Sequence, residues 1–166
     1  MISRRRVLKG GLALAGVAAG VSGGLVALRG YAPPVQGLVC LSRYEYRTVA
    51  KLATAILPEG GAFAAGASSF DLARRFDAYL ADEPDEVRSD LSTALALLEY
   101  GPVVYDHHLV TFSNLDDAAR LAHFEAWIQS DDPLRRQIAL ALRKFLCLVF
   151  YDDPQVWPGI GYGGPA

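Results

Sequence analysis

Apolar residues recur at helical spacing in five successive segments between residues 42 and 151, and prolines, glycines or capping side chains separate these segments. Side chains that return to one face every three or four residues predict amphipathic α-helices. The alternating pattern of strands does not occur at useful length, and no internal repeat is present. The sequence therefore predicts an all-α fold, a single bundle of about five helices with a non-helical C-terminal tail.

Two capping boxes, Ser42-x-x-Glu45 and Ser113-x-x-Asp116, mark the starts of the first and fourth helices. In a capping box, the first side chain satisfies a free backbone N–H of the opening turn. In chain order, the expected helices cover about residues 43–57, 70–81, 84–101, 114–129 and 133–151.

Prolines set the remaining boundaries. Gly101-Pro102 should end the third helix, and residues 103–112 should form a turn or a short helix. Asp132-Pro133 should start the fifth helix, because proline suits a first helical turn. Residues 145–151 are almost all apolar. We therefore expect this half of the fifth helix to be buried all round, at the centre of the bundle.

The first 32 residues differ in charge from the rest of the chain. They hold five of the 16 lysines and arginines and none of the 18 acids, so residues 33–166 carry a net charge of −7. An acidic body lacks the basic face of nucleic-acid-binding proteins, which excludes that partner class. The expected organisation is an export signal in residues 1–32, a helical bundle in 33–151 and an interaction tail in 152–166.

Residues 3–9, S-R-R-R-V-L-K, resemble the twin-arginine signal of bacteria, and 19 uncharged residues follow them. The residues expected to contact the twin-arginine translocase are Arg4, Arg5, Leu8 and Lys9. Gly30-x-Ala32 offers a site for a signal peptidase. We expect a periplasmic protein; retention of the segment as a membrane anchor stays open, because about 20 apolar residues span a bilayer.

Cys40 and Cys147 are the two cysteines of the chain. An oxidising periplasm permits a disulfide between them. A buried free thiol at Cys147 and a bridge to a partner chain are the alternatives.

Few residues point to catalysis. Asp106-His107-His108 forms the histidine cluster, and His123 is the third histidine. Zinc needs three or four ligands with compatible geometry, and adjacent histidines rarely face one ion. The cluster is therefore interpreted as a polar turn, no metal site is expected, and nucleophile or nucleotide-binding motifs are absent from the sequence.

The C-terminal residues combine backbone-breaking and apolar types. Residues 152–166 contain three prolines and four glycines, together with Trp157, Ile160 and Tyr162, which are costly to leave in water. Such a tail either folds back on its own bundle or docks on another protein. Asp152 and Asp153 oppose the dipole of the preceding helix, which indicates a partner, an ion or simple solvation there.

This ending resembles that of the gluconate 2-dehydrogenase subunit 3 family, Y-Y-x-D-P-x-V-W-x-x-I-G-Y-x-G-P. Residues 150–165 read F-Y-D-D-P-Q-V-W-P-G-I-G-Y-G-G-P, with Phe150 in place of the first tyrosine and Pro158 after Trp157. L-P-E-G-G at residues 57–61 and Phe112-x-x-Leu115 are similar as well.

The resemblance implies an accessory subunit without an active site or cofactor of its own. Its partner would be an FAD-dependent glucose–methanol–choline-type catalytic subunit that oxidises an alcohol or sugar, with a cytochrome c subunit often accepting the electrons. The small subunit would assist maturation and carry the catalytic subunit through the twin-arginine pathway. The expected partner-binding residues are Tyr151, Pro154, Trp157, Ile160, Gly161, Tyr162 and Pro165.

Two other functions remain open from the sequence. The chain could be a stand-alone exported helical protein that binds an apolar ligand. It could also be an enzyme or metal protein that uses Asp106, His107 and His108.

Overall fold

The computed structural model of the chain describes residues 28–61 and 64–164. The chain divides between Tyr31 and Ala32 into two units, and the helices described below belong to the second. Regular structure in the described residues is entirely helical, which confirms the all-α prediction. The five α-helices are α1 Arg43–Ile56, α2 Leu72–Ala81, α3 Asp85–Tyr105, α4 Asp117–Ile128 and α5 Pro133–Tyr151.

Two predicted helix starts are confirmed. The Ser42 hydroxyl accepts the Glu45 N–H at 3.3 Å, and the Glu45 carboxylate accepts the Ser42 N–H at 2.8 Å, which completes the capping box of α1. Asp132 caps α5 by accepting the Leu134 N–H at 2.9 Å, and Pro133 occupies the first turn. Local capping chemistry therefore determines where these two helices begin.

The predicted end of the third helix is wrong, because α3 continues through Pro102 to Tyr105. Proline removes one helical donor, but its carbonyl remains an acceptor. The Pro102 carbonyl accepts the N–H groups of Asp106 at 3.2 Å and His108 at 3.0 Å. These bonds close the last turn of α3 beyond the proline.

The predicted capping box at Ser113 is also wrong. Asp116 caps α4 by accepting the Ala119 N–H at 2.8 Å. Ser113 instead lies in a short 3₁₀ turn, Phe112–Asn114, and its hydroxyl donates to the buried Glu99 carboxylate at 2.7 Å. Ser113 therefore bonds to Glu99, 14 residues away, and not within the predicted capping box with Asp116.

The core lies between the helices, and α5 packs on α2, α3 and α4. Helix α1 also packs on three helices, α2, α3 and α4, so the centre of the bundle is shared between α1 and α5. The prediction that residues 145–151 are buried all round is wrong, because Leu148 and Tyr151 of α5 are 47% and 43% exposed. The apolar positions of α5 exceed what its neighbours cover, so one face of the helix remains in solvent.

Candidate partner-binding surface

The tail leaves α5 through a tight turn that is part of the folded core. The Asp153 carbonyl accepts the Val156 N–H at 2.9 Å, and the Asp153 carboxylate accepts the Gln155 N–H at 2.8 Å. Aspartate at the first position and Pro154 at the second are typical of a type I turn. Val156 is fully buried and Asp153 is 1% exposed, whereas Pro154 lies at the surface.

An ion pair fixes this turn to α2. The Arg75 guanidinium lies 2.6 Å from the Asp153 carboxylate, whose side chain is completely buried. Arg75 also stacks over the Phe70 ring at 5.1 Å, and Phe70 in turn stacks on Phe150 at 5.6 Å. The sequence analysis left open whether Asp152 and Asp153 face a partner, an ion or solvent. For Asp153, the structure shows a partner within the same chain, Arg75.

Beyond the turn, Trp157 lies against the end of α5. Its indole N–H donates to the Tyr151 carbonyl at 3.1 Å, and the Tyr162 ring meets it edge-on at 5.2 Å. The tail was predicted to be non-helical. This prediction is wrong at one 3₁₀ turn, Trp157–Ile160, which precedes Gly161. Gly161 adopts φ 71°, a left-handed conformation that glycine allows without strain.

Several rings and aliphatic side chains of this region remain open to solvent. Ile160 is 43% exposed and Tyr162 is 49% exposed, and Trp157 is half-buried. We call Leu148, Tyr151, Trp157, Ile160 and Tyr162 the tail surface. Exposed apolar side chains gathered in one place are typical of interaction sites. The base of the tail thus folds on its own bundle, while Ile160 and Tyr162 remain exposed and Trp157 remains half-buried. Pro165 lies outside the described residues.

The histidine cluster does not form a metal site in the described residues. His107 and His108 are exposed, and His107 has a left-handed backbone with φ 56°. Asp106 instead contacts His123, with 2.6 Å between its carboxylate and Nδ1. Burial lowers the pKa of His123, against the opposite effect of Asp106.

The two partners of the Asp106–His123 pair differ in exposure, because the Asp106 side chain is 42% exposed and the His123 side chain is 4% exposed. Nε2 of His123 is buried without a hydrogen-bond partner among the described residues, and it lies beside Gly101 of α3. A Cβ placed on Gly101 would lie only 2.8 Å from this nitrogen. The backbone of α3 therefore covers the Nε2 side of His123, whereas the Nδ1 side contacts a carboxylate that is partly open to solvent.

Both cysteines are free thiols and are partly buried. Burial also raises the pKa of the Cys147 thiol, which disfavours the reactive thiolate. The bridge between Cys40 and Cys147 is not formed in the structure, and a bridge to a partner chain stays a prediction.

Two buried carboxylates were missed by the sequence analysis. The Asp77 carboxylate accepts three consecutive backbone N–H groups, from residues 39–41, at 2.6 to 2.9 Å. The Glu99 carboxylate accepts from the Thr48 hydroxyl and from Ser113. A signal was available, because each carboxylate lies four residues after an apolar core position, Ala73 or Leu95. Both groups hold loops to helices.

The export-signal residues Arg4, Arg5, Leu8 and Lys9 lie outside the described residues. Within the part that the structure describes, no helix combines the length and hydropathy needed to cross a membrane. No protein-family model, curated protein or solved structure matches the chain.

Proposed function

We propose that the chain is a non-catalytic small subunit of a periplasmic flavin-dependent alcohol or sugar dehydrogenase. It would assist maturation of the FAD-binding glucose–methanol–choline-type subunit and its co-export through the twin-arginine translocase. FAD would reside on that partner, and a cytochrome c subunit would complete the complex. The proposal rests on the resemblance of residues 150–165 and on one structural observation, the exposed tail surface above a buried turn.

The division within the tail supports a docking role. The ion pair between Arg75 and Asp153 and the buried Val156 hold the base of the tail in place. Trp157 and Tyr162 are therefore presented on a pre-ordered backbone, which reduces the entropy lost on binding. Tryptophan and tyrosine also dominate the binding energy of many protein interfaces.

The decisive experiment is co-expression of the FAD-binding subunit with and without this chain. We expect export and dehydrogenase activity of the large subunit only when the chain is present. Deletion of residues 157–166 removes Trp157, Ile160 and Tyr162 but keeps the buried Asp153–Val156 turn, and we expect it to abolish co-purification. A matched control replaces Arg4 and Arg5 with lysine, which should block export but preserve the complex. Export of active flavoprotein without this chain would disprove the proposal.

A second candidate function rests on a groove between α3 and α5. This open groove of about 450 Å³ is lined mainly by apolar side chains. The lining includes Leu91, Leu97, Leu134, Ile138 and Phe145. A stand-alone protein could hold an apolar ligand here, since ligand sites are concave and mostly apolar. A fluorescent fatty acid that binds the purified chain, and that Ala94→Trp displaces, would favour this alternative.

A further inference from the structure

A second groove lies directly beside the tail surface, between α2 and α5. It is open and measures about 650 Å³. Its lining residues are Arg75, Ala78, Tyr79, Asp82, Leu148, Val149, Tyr151 and Asp152. Leu148 and Tyr151 belong to the tail surface as well, so the groove and the exposed rings form one continuous region.

The two helices run antiparallel along this groove. Arg75, near the start of α2, pairs with Asp153 just after α5, and Tyr79, one turn later, faces Phe145 at 6.2 Å. The C-terminus of each helix therefore lies at a different end of the groove. Asp82 and Asp152 are the C-cap residues of α2 and α5, and each places a carboxylate at one of these ends.

Both ends of the groove are therefore negative. The carbonyl end of a helix carries partial negative charge, and each carboxylate adds to it. Neither the Asp82 nor the Asp152 carboxylate has a hydrogen-bonding or ionic partner among the described side chains. The one cation of the lining, Arg75, is engaged by the buried Asp153. Lys144 lies one turn before Leu148 and is not part of the lining.

We propose that this groove receives a segment of the partner protein in which an apolar side chain is flanked on both sides by lysine or arginine. The apolar side chain would pack between Leu148 and the α2 surface at Ala78. The two cations would pair with Asp82 and Asp152 and would complement the helix C-termini. This inference rests on the proposed function and adds the chemistry of the docking element. The negative charge disfavours an anionic lipid surface as the occupant.

The test uses the full-length tagged chain co-expressed with the FAD-binding subunit, and it measures the flavoprotein captured per chain. Ala78→Trp fills the groove from an exposed position of α2, and Asp82→Lys with Asp152→Lys reverses its charge. We expect each change to reduce capture by about tenfold or more. Capture by the unaltered chain should also weaken as NaCl rises from about 50 to about 500 mM.

The controls carry the same changes elsewhere on the surface. Ala126→Trp places the same ring on an exposed position of α4, and Glu86→Lys with Glu125→Lys makes the same change in net charge. These variants should capture flavoprotein within about twofold of the unaltered chain. Circular dichroism melts verify that every variant is folded; the charge-reversal variant alters only exposed side chains and provides the test if the Ala78→Trp variant unfolds.

The outcomes separate the two proposals. Undiminished capture by both groove variants, together with loss of capture on deletion of residues 157–166, would overturn the groove and leave the proposed function intact. Absence of capture by the unaltered chain would overturn both. Loss of capture in the groove variants alone, with the controls unaffected, supports the groove.

Discussion

The chain's two tryptophans lie in opposite environments. Trp127 is 1% exposed and packs against Tyr105 and His123 at centroid distances of 5.7 and 5.5 Å. Its indole N–H has no hydrogen-bond partner within the described residues. Trp157 is half-buried, and its indole N–H has a partner, the Tyr151 carbonyl. Packing fixes the Trp127 ring. A hydrogen bond orients the Trp157 ring, and part of that ring remains accessible to another molecule.

The largest expected effect is on the buried ring. Trp127→Ala should lower the free energy of unfolding by about 3 to 5 kcal/mol, because it removes a large core side chain and leaves a cavity. Trp157→Ala should cost less, about 1 to 2 kcal/mol, because this ring is only half-buried. Urea unfolding of both variants measures the difference, and equal losses would contradict the comparison.

For partner binding we expect the opposite order, with Trp157 more important than Trp127. Trp157→Ala should weaken capture of the proposed partner, the FAD-binding subunit, by about 30-fold, which corresponds to about 2 kcal/mol. Trp157→Phe is the control, since it keeps an aromatic face but loses the indole N–H. Titration of the flavoprotein against immobilised chain measures the affinity. Full affinity in the alanine variant would mean that the Trp157 ring is not an anchor.

Gly101 tests how tightly the buried ring is enclosed. A Cβ at this position would lie 2.6 Å from Trp127 Cζ2. Alanine is normally favoured over glycine inside a helix by about 1 kcal/mol. Here the clash should reverse the sign, so that Gly101→Ala lowers the free energy of unfolding by about 1 to 3 kcal/mol. Gly163→Ala, with nothing within 4 Å, is the neutral control. A stabilised Gly101→Ala variant would indicate a looser core.

The Arg75–Asp153 ion pair tests what holds the buried turn before Trp157 in place. Asp153→Asn removes the charge but keeps an oxygen for the Gln155 N–H. The expected loss is about 1 kcal/mol, since Arg75 is 45% exposed and water screens part of the interaction. Asp152→Asn, at an exposed carboxylate, is the matched control for stability. Thermal melts compare the two, and a neutral Asp153→Asn would show that the turn does not need the ion pair.

The smallest expected effect is the pH dependence that the buried His123 gives to the free energy of unfolding. Burial lowers the pKa of His123 below its ordinary value of 6.5; Asp106 acts in the opposite direction, and His108 and Arg135 lower the pKa further. As the pH falls below 6.5, the unfolded chain takes up a proton before the native chain does, so stability declines. The slope is at most about 1.4 kcal/mol per pH unit for one proton.

Unfolding measured at several pH values between 7.5 and 5 tests this expectation. His123→Phe should flatten the acid side of the profile, because it removes the titrating group. His107→Gln, which changes an exposed histidine, should preserve the decline. An unchanged slope in the His123→Phe variant would assign the decline to other groups.

The sequence predicted the helices better than their ends. Ser42 and Asp132 cap as expected, because a capping bond is made within three residues along the chain. Ser113 has the same local pattern, yet it bonds to Glu99, 14 residues away. Pro102 was expected to end α3, but its carbonyl closes a further turn. The error at Ser113 arises because a partner distant in the sequence competes for it, whereas the error at Pro102 arises because a proline carbonyl still accepts nearby N–H groups.

The candidate site was predicted by residue type but not by arrangement. Trp157 and Tyr162 stand out in the sequence, because rings in a glycine- and proline-rich tail need cover. The pairing of Arg75 with Asp153 was not predictable, since 78 positions separate the two residues. The groove between α2 and α5 depends on the same antiparallel packing. No local pattern could have revealed it.

The sequence by itself determined that this chain is helical, where two of its helices begin, and that its tail carries large rings. These properties depend on spacing and on contacts within a few residues. Only the tertiary structure decided that Trp127 is enclosed while Trp157 stays half-open, and that Asp153 is buried while Asp152 remains at the mouth of a groove. The physical reason is that burial depends on which helix packs over a residue, and residues far apart in the chain supply that cover.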